Sequence, residues 1–211
     1  MPLIEKIENQ NSTIGIWELK EAADDLLKEV KLTPVETARL ATFKAEKRRK
    51  EFLASRLLLQ QLLPECPEIV YRDKFGKPSL KDSGLNISIT HSADLAAIIL
   101  SDKNIGIDVE QIHRNIDKVV TRYASPEEIE FIENSKDPQF VKILLWAAKE
   151  AIFKCAEIQG IQFNRQIEIT PFDYHVHSSF SGALKHPEKE IGYDLFFRTI
   201  KNNILVYCVQ H

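Results

Sequence analysis

Along Ile14 to Leu19, after Asn11 and Ser12, apolar and polar positions alternate with the period of a half-buried strand. Thr33, Pro34 and Glu36 then supply an N-cap, a first-turn proline and a capping-box acid. They predict a helix carried through Leu40, Phe43, Phe52, Leu53 and Leu57 to Leu63 and stopped by Pro64 and Pro67. Strands are expected at Ile69 to Arg72, Leu85 to Thr90, Leu95 to Leu100 and Ile105 to Glu110, with a Gly/Pro turn across Phe75, Gly76, Lys77 and Pro78. Ser125, Pro126, Glu127 and Glu128 start a second helical tract, and a longer amphipathic helix is predicted from Pro138 to Ile158, ending at Gly160. The tail returns to strands at Ile167 to Ile169, His175 to Phe180, Tyr193 to Thr199 and Ile204 to Val209. Strand, helices, strands therefore occurs twice, which predicts an α+β fold in two halves, residues 1–103 and 104–211.

Composition narrows this picture without changing it. The chain has 211 residues, enough to bury a sizeable core as one domain or two small halves. A net charge of -3 argues against a protein that coats nucleic acid. One basic run stands out within that balance: Lys44, Lys47, Arg48, Arg49 and Lys50, followed by Arg56. Cys66, Cys155 and Cys208 are widely separated and show no C-x-x-C spacing, so neither a disulfide framework nor a zinc knuckle is supported, and a reducing compartment is expected. No apolar run approaches the roughly 20 residues of a membrane span. The expectation is a cytoplasmic protein, with no membrane partner.

Two segments concentrate the candidate chemistry. If Ile105 to Glu110 is a strand, Ile105, Ile107 and Val109 share one face while Gly106, Asp108 and Glu110 share the other. Two acids on one face suit a hard divalent cation, and the missing side chain at Gly106 offers room for a ligand or metal to approach the backbone. On a helix, Trp146, Glu150 and Lys154 follow at i, i+4 steps, and the small neighbours Ala147, Ala148 and Ala151 leave space against that face. Glu150 thus offers a third oxygen ligand, while Lys149 reads as part of a solvated helix face. His91 shares a strand face with Ile87 and Ile89 and lies between Thr90 and Ser92, where it could donate to a phosphate. Lys77 sits in the rigid turn beside Gly76 and Pro78. His175 and His177 share a strand face and read as solvated.

Taken in order, Gly76, Lys77 and Pro78, then Thr90, His91 and Ser92, then Gly106 to Glu110, then Trp146 to Ala151 with Lys154 form a set. The chain resembles the 4′-phosphopantetheinyl transferase superfamily, in its long, pseudo-dimeric surfactin-synthetase-activating type, over roughly Lys47 to Lys154. The resemblance implies an intramolecular pseudo-dimer of two similar α+β halves with the active site at the seam, sufficient as a monomer. It implies transfer of the 4′-phosphopantetheine arm of coenzyme A to a serine of an apo acyl or peptidyl carrier protein, releasing adenosine 3′,5′-bisphosphate. By position, Asp108, Glu110 and Glu150 would hold Mg²⁺, with Mn²⁺ also accepted by such oxygen ligands. Glu150 would take the serine proton and Lys154 would bind phosphate. Lys47, Arg48, Arg56 and His91, flanked by Thr90 and Ser92, would grip the 3′-phosphate, and Gly76, Lys77 and Pro78 would line the adenine side.

Ala147 and Thr90 depart from the long type, which commonly has a hydroxyl residue and a serine there. The Ala147 to Ala151 run looks more like the short, trimeric carrier synthases. Two other readings stay open: a catalytically silent coenzyme A or carrier-binding protein, and a metal-dependent phosphohydrolase on Asp108 and Glu110. The common nuclease core places a lysine two residues after its second acid, where this chain has Ile112.

Overall fold

The computed structural model describes residues 3–9, 11–65, 67–72 and 76–211, so Cys66 and Phe75 lie outside the described residues. The chain divides into two compact units, Met1–Asp102 and Lys103–His211. Both mix helices with antiparallel sheet.

In the first unit the order is β1 (Leu3–Asn9), β2 (Ser12–Glu18), α1 (Ala23–Glu29), α2 (Pro34–Ala41), α3 (Glu46–Leu62), β3 (Ile69–Arg72), β4 (Lys77–Leu80), β5 (Asn86–His91) and β6 (Leu95–Ser101). Its main sheet runs β1-β2-β6-β5, and β3 pairs with β4. The apolar side of α3, including Leu53 and Leu58, is buried with Trp17 of β2 and Ile98 and Leu100 of β6. The expected single helix from Pro34 to Leu63 is two helices. Thr42 closes the first by donating its Oγ1 to Arg39 O at 2.7 Å, a hydroxyl competing for a helix carbonyl. The predicted capping box is present, with Glu36 N on Thr33 Oγ1 at 3.2 Å and Thr33 N on Glu36 Oε2 at 3.0 Å. The pattern does not predict β1 or α1. Charged positions Glu5, Lys6 and Glu8 obscure the period of β1, whose pairing with β2 is also irregular between Leu3 and Glu5.

The second unit contains β7 (Ile105–Gln111), a 3-10 turn (Asp117–Val119), α4 (Val120–Tyr123), α5 (Pro126–Glu133), α6 (Pro138–Ala156), α7 (Phe163–Gln166), β8 (Ile167–Ile169), β9 (Ser179–His186), β10 (Lys189–Ile200) and β11 (Asn203–Gln210). Its sheet runs β7-β11-β10-β9-β8. The expected strand at His175 to Phe180 begins only at Ser179. Before it, Asp173 caps a turn by accepting His175 N on Oδ1 and Val176 N and His177 N on its carbonyl, so His175 and His177 share no strand face. Both units repeat one plan: the strand before the helices pairs with the last strand of the unit, β2 with β6 and β7 with β11. The buried cysteines Cys155 and Cys208 are free thiols.

Lys149 corrects a sequence expectation. It is fully buried rather than solvated, pairing with Glu128 Oε2 at 2.6 Å and donating to Ile167 O at 2.7 Å and Phe163 O at 3.1 Å. Burial pushes its pKa below the usual lysine range, partly opposed by the Glu128 carboxylate. Glu128 in turn closes the α5 capping box on Ser125 N and accepts Ile169 N at 3.1 Å. One ion pair therefore ties α5, α6 and β8 together. A buried pair gains little over an apolar substitute, yet losing one partner strands the other charge. Lys149→Met is expected to lower the unfolding free energy by about 3 kcal/mol in urea titration, and adding Glu128→Gln to recover a substantial part of that loss.

Candidate active site

The even positions of β7, Gly106, Asp108 and Glu110, stand opposite Cys208, Val206 and Ile204 of β11. Those three β11 residues share their core with Ala147, Ala148 and Ala151 of α6. The helix comes unusually close at Gly106. A Cβ there would lie 2.0 Å from the carbonyl oxygen of Ala151 and 3.0 Å from Cys155 N. The space left by the missing side chain is filled by helix backbone, which corrects the expectation that it admits a ligand or metal. The small residues of α6 serve the same close packing.

That approach brings the helical stripe against the acids. Lys154 Nζ donates to Asp108 Oδ1 at 2.7 Å and to Ile107 O at 3.0 Å. Trp146 Nε1 donates to Glu110 Oε1 at 2.8 Å, and Arg114 forms an ion pair with the same oxygen. Glu150, between Trp146 and Lys154 on the stripe, has its pKa raised to about 7. Burial is the largest cause, followed by the Asp108 charge, with Lys154 opposing. The three acids thus act on one another electrostatically. Among the described residues, however, no three His, Cys, Asp or Glu groups are gathered as a metal cage. Lys154 and Arg114 hold two of the acids instead. The donor set still suits a hard divalent ion, being carboxylate oxygens in a partly dry setting.

The other predicted residues all belong to the first unit. Lys47 and Arg48, at the start of α3, and His91, at the end of β5, meet around Glu51. Glu51 is 4% exposed and lies 3.1 Å from Arg48, 3.7 Å from Lys47 and 3.4 Å from His91 Nδ1. Arg48 stands 3.5 Å from His91 Nε2. Arg49 and Lys50 turn elsewhere, to Asp24 and to Leu19 O. Arg56 does not join the group, which corrects its placement among the phosphate cations. It is 1% exposed, 2.6 Å from Glu36 without hydrogen-bond geometry, and lies over the Phe52 ring at 4.4 Å. Thr90 is buried in β5, and Ser92 accepts Leu95 N at 3.2 Å in the turn to β6. Gly76 is an exposed turn residue at φ +64, with Lys77 and Pro78 opening β4.

Glu51 and Arg114 are additions that sequence reasoning missed. Spacing carried a signal for Glu51, three and four residues after Arg48 and Lys47 on one helix face. Arg114 follows Glu110 by four residues, but beyond a strand, where that spacing predicts no contact.

Residues 104–196 match the family model of the 4′-phosphopantetheinyl transferase superfamily. Over 150 residues the chain is 28% identical to a putative 4′-phosphopantetheinyl transferase of Haemophilus influenzae, covering 65% of this chain and 62% of that protein. Over 114 residues it is 33% identical to the 4′-phosphopantetheinyl transferase AcpT of Salmonella typhimurium, covering 51% and 58%. A third match is to fatty acid synthase subunit alpha of Candida parapsilosis, 39% identical over 78 residues, 36% of this chain and 4% of that one. The chain spans about three fifths of the length of the first two relatives.

Trp146 ties the stripe to the strand through one charge-assisted bond, packed edge-on to Tyr123 at 5.2 Å. Trp146→Phe is expected to cost about 2 kcal/mol of unfolding free energy in urea titration, from the lost bond to a charged acceptor.

Proposed function

We propose that this protein transfers the 4′-phosphopantetheine arm of coenzyme A to a serine hydroxyl of an apo acyl or peptidyl carrier protein, leaving adenosine 3′,5′-bisphosphate. The observation that carries this reading is the meeting of Asp108, Glu110 and Lys154 with Glu150 held near neutral pKa. A side chain titrating near neutrality is suited to accept a proton at working pH. Glu150 takes the serine proton, directly or through a water. The serine oxygen then forms a bond to the phosphorus bearing the pantetheine arm, and the bond from that phosphorus to the bridging oxygen breaks. Lys154, fixed beside Asp108, contributes positive charge to the phosphate being transferred. Asp108, Glu110 and Glu150 would hold a magnesium or manganese ion, which when bound orients the pyrophosphate and neutralises charge on the leaving phosphate.

In this reading Lys47, Arg48 and His91 grip the 3′-phosphate, and Gly76, Lys77 and Pro78 line the adenine side. Support comes from the gathering of the first three around Glu51, whose single carboxylate leaves the two cations Lys47 and Arg48 a net positive charge. The repeated strand plan of the two units supports a pseudo-dimer of similar halves that is complete as a monomer. Among the described residues no helix is long and apolar enough to cross a membrane, and we place the reaction in the cytoplasm.

Incubation with coenzyme A, Mg²⁺ and an apo carrier protein is expected to add one phosphopantetheine mass to the carrier by mass spectrometry. Glu150→Gln is expected to keep coenzyme A binding and to slow transfer by about 100-fold or more. Folded protein that adds no mass to any of several fatty-acid and peptide-synthetase carriers would contradict the proposal.

A further inference from the structure

Each of the two acids on β7 has a cation beside it: Lys154 at Asp108 and Arg114 at Glu110. Arg114 pairs with Glu110 Oε1, the oxygen that also accepts Trp146 Nε1. Its guanidinium lies 5.9 Å over the Trp146 ring. The backbone beneath it is fixed twice: Arg114 N donates to Gln111 O at 3.0 Å, and Gln139 Nε2 donates to Ile112 O at 2.7 Å and Arg114 O at 3.0 Å. Gln139 stands in the first turn of α6, the helix that carries Trp146, Glu150 and Lys154. The loop that aims Arg114 at Glu110 is therefore stapled to the helix that completes the site.

A carboxylate oxygen has about two lone-pair directions, and on Glu110 Oε1 the indole and the guanidinium take both. An ion that uses this oxygen must displace one of them. The indole is held by ring contacts to Tyr123 at 5.2 Å and Phe163 at 6.0 Å. Arg114 is instead a long side chain, 48% exposed, with solvent to move into.

We propose that Arg114 is a positioning residue that occupies Glu110 Oε1 in the free protein and competes there with the divalent ion. This rests on the metal-site reading above. Competition has a consequence for order. Asp108, Glu110 and Glu150 face the two cations Lys154 and Arg114, so the free cluster keeps no more than one net negative charge. That is little with which to hold a doubly charged ion, and the ion enters together with a diphosphate, whose oxygens supply the missing charge.

Calorimetric titration of Mg²⁺ into the wild type, Arg114→Gln and Arg114→Lys, without and with inorganic pyrophosphate, tests this. Arg114→Gln is expected to bind Mg²⁺ alone about two- to fivefold more tightly than the wild type, the gain shrinking as salt is raised. Arg114→Lys is expected to stay close to the wild type, and pyrophosphate to tighten Mg²⁺ binding most in the proteins that keep the cation. Unchanged or weaker binding in Arg114→Gln, or an Arg114→Lys that behaves like it, overturns the inference. Glu110→Gln, titrated in parallel, separates the two claims: Mg²⁺ binding indifferent to it overturns the metal-site reading itself.

Discussion

The near contact of two backbones, β7 at Gly106 and α6 at Ala151, is the constraint on which the candidate site depends. A residue with a Cβ at position 106 would meet a carbonyl oxygen at 2.0 Å. Glycine and three alanines let helix and strand close to a distance that ordinary side chains forbid. At that distance the i, i+4 stripe of α6 reaches the acids of β7 directly: Lys154 to Asp108 and Trp146 to Glu110. A helix standing even a side chain's width further away would leave both carboxylates facing water.

Electrostatics then turns proximity into chemistry. Glu150 is half-buried near the charge of Asp108 and holds its proton to about neutral pH, whereas Asp108 and Glu110 each have a cation in contact. The same helix is secured on its other side by Lys149, whose ion pair with Glu128 and bonds to Phe163 O and Ile167 O join α6 to α5, α7 and β8. Adjacent residues, Lys149, fully buried, and Glu150, half-buried, thus serve different ends. One holds the helix in place, and the other is held ready to titrate.

What was legible in the sequence was whatever local spacing decides. The capping signals at Thr33 and Ser125 worked because an N-cap is completed within four residues. The stripe of Trp146, Glu150 and Lys154 and the shared face of Asp108 and Glu110 followed from helix and strand periods alone. Contacts between elements were not legible. Nothing near Lys149 announces that α5 and β8 will enclose it, and nothing near Gly106 says that a helix rather than a ligand will fill its space. Arg56 resembles a phosphate cation in sequence, but its helix turns it inward to Glu36 and Phe52. Thr42 looks helical until its hydroxyl takes a carbonyl and ends α2.

Gly106→Ala probes whether the approach of helix to strand at Gly106 builds the acid cluster. Urea unfolding and calorimetric Mg²⁺ titration on the same preparation give the answer. The variant is expected to keep its helix content but lose about 1–3 kcal/mol of stability, or more because the clash is with backbone, and to bind Mg²⁺ at least about tenfold more weakly. A Gly106→Ala protein with wild-type stability and wild-type Mg²⁺ affinity would contradict it.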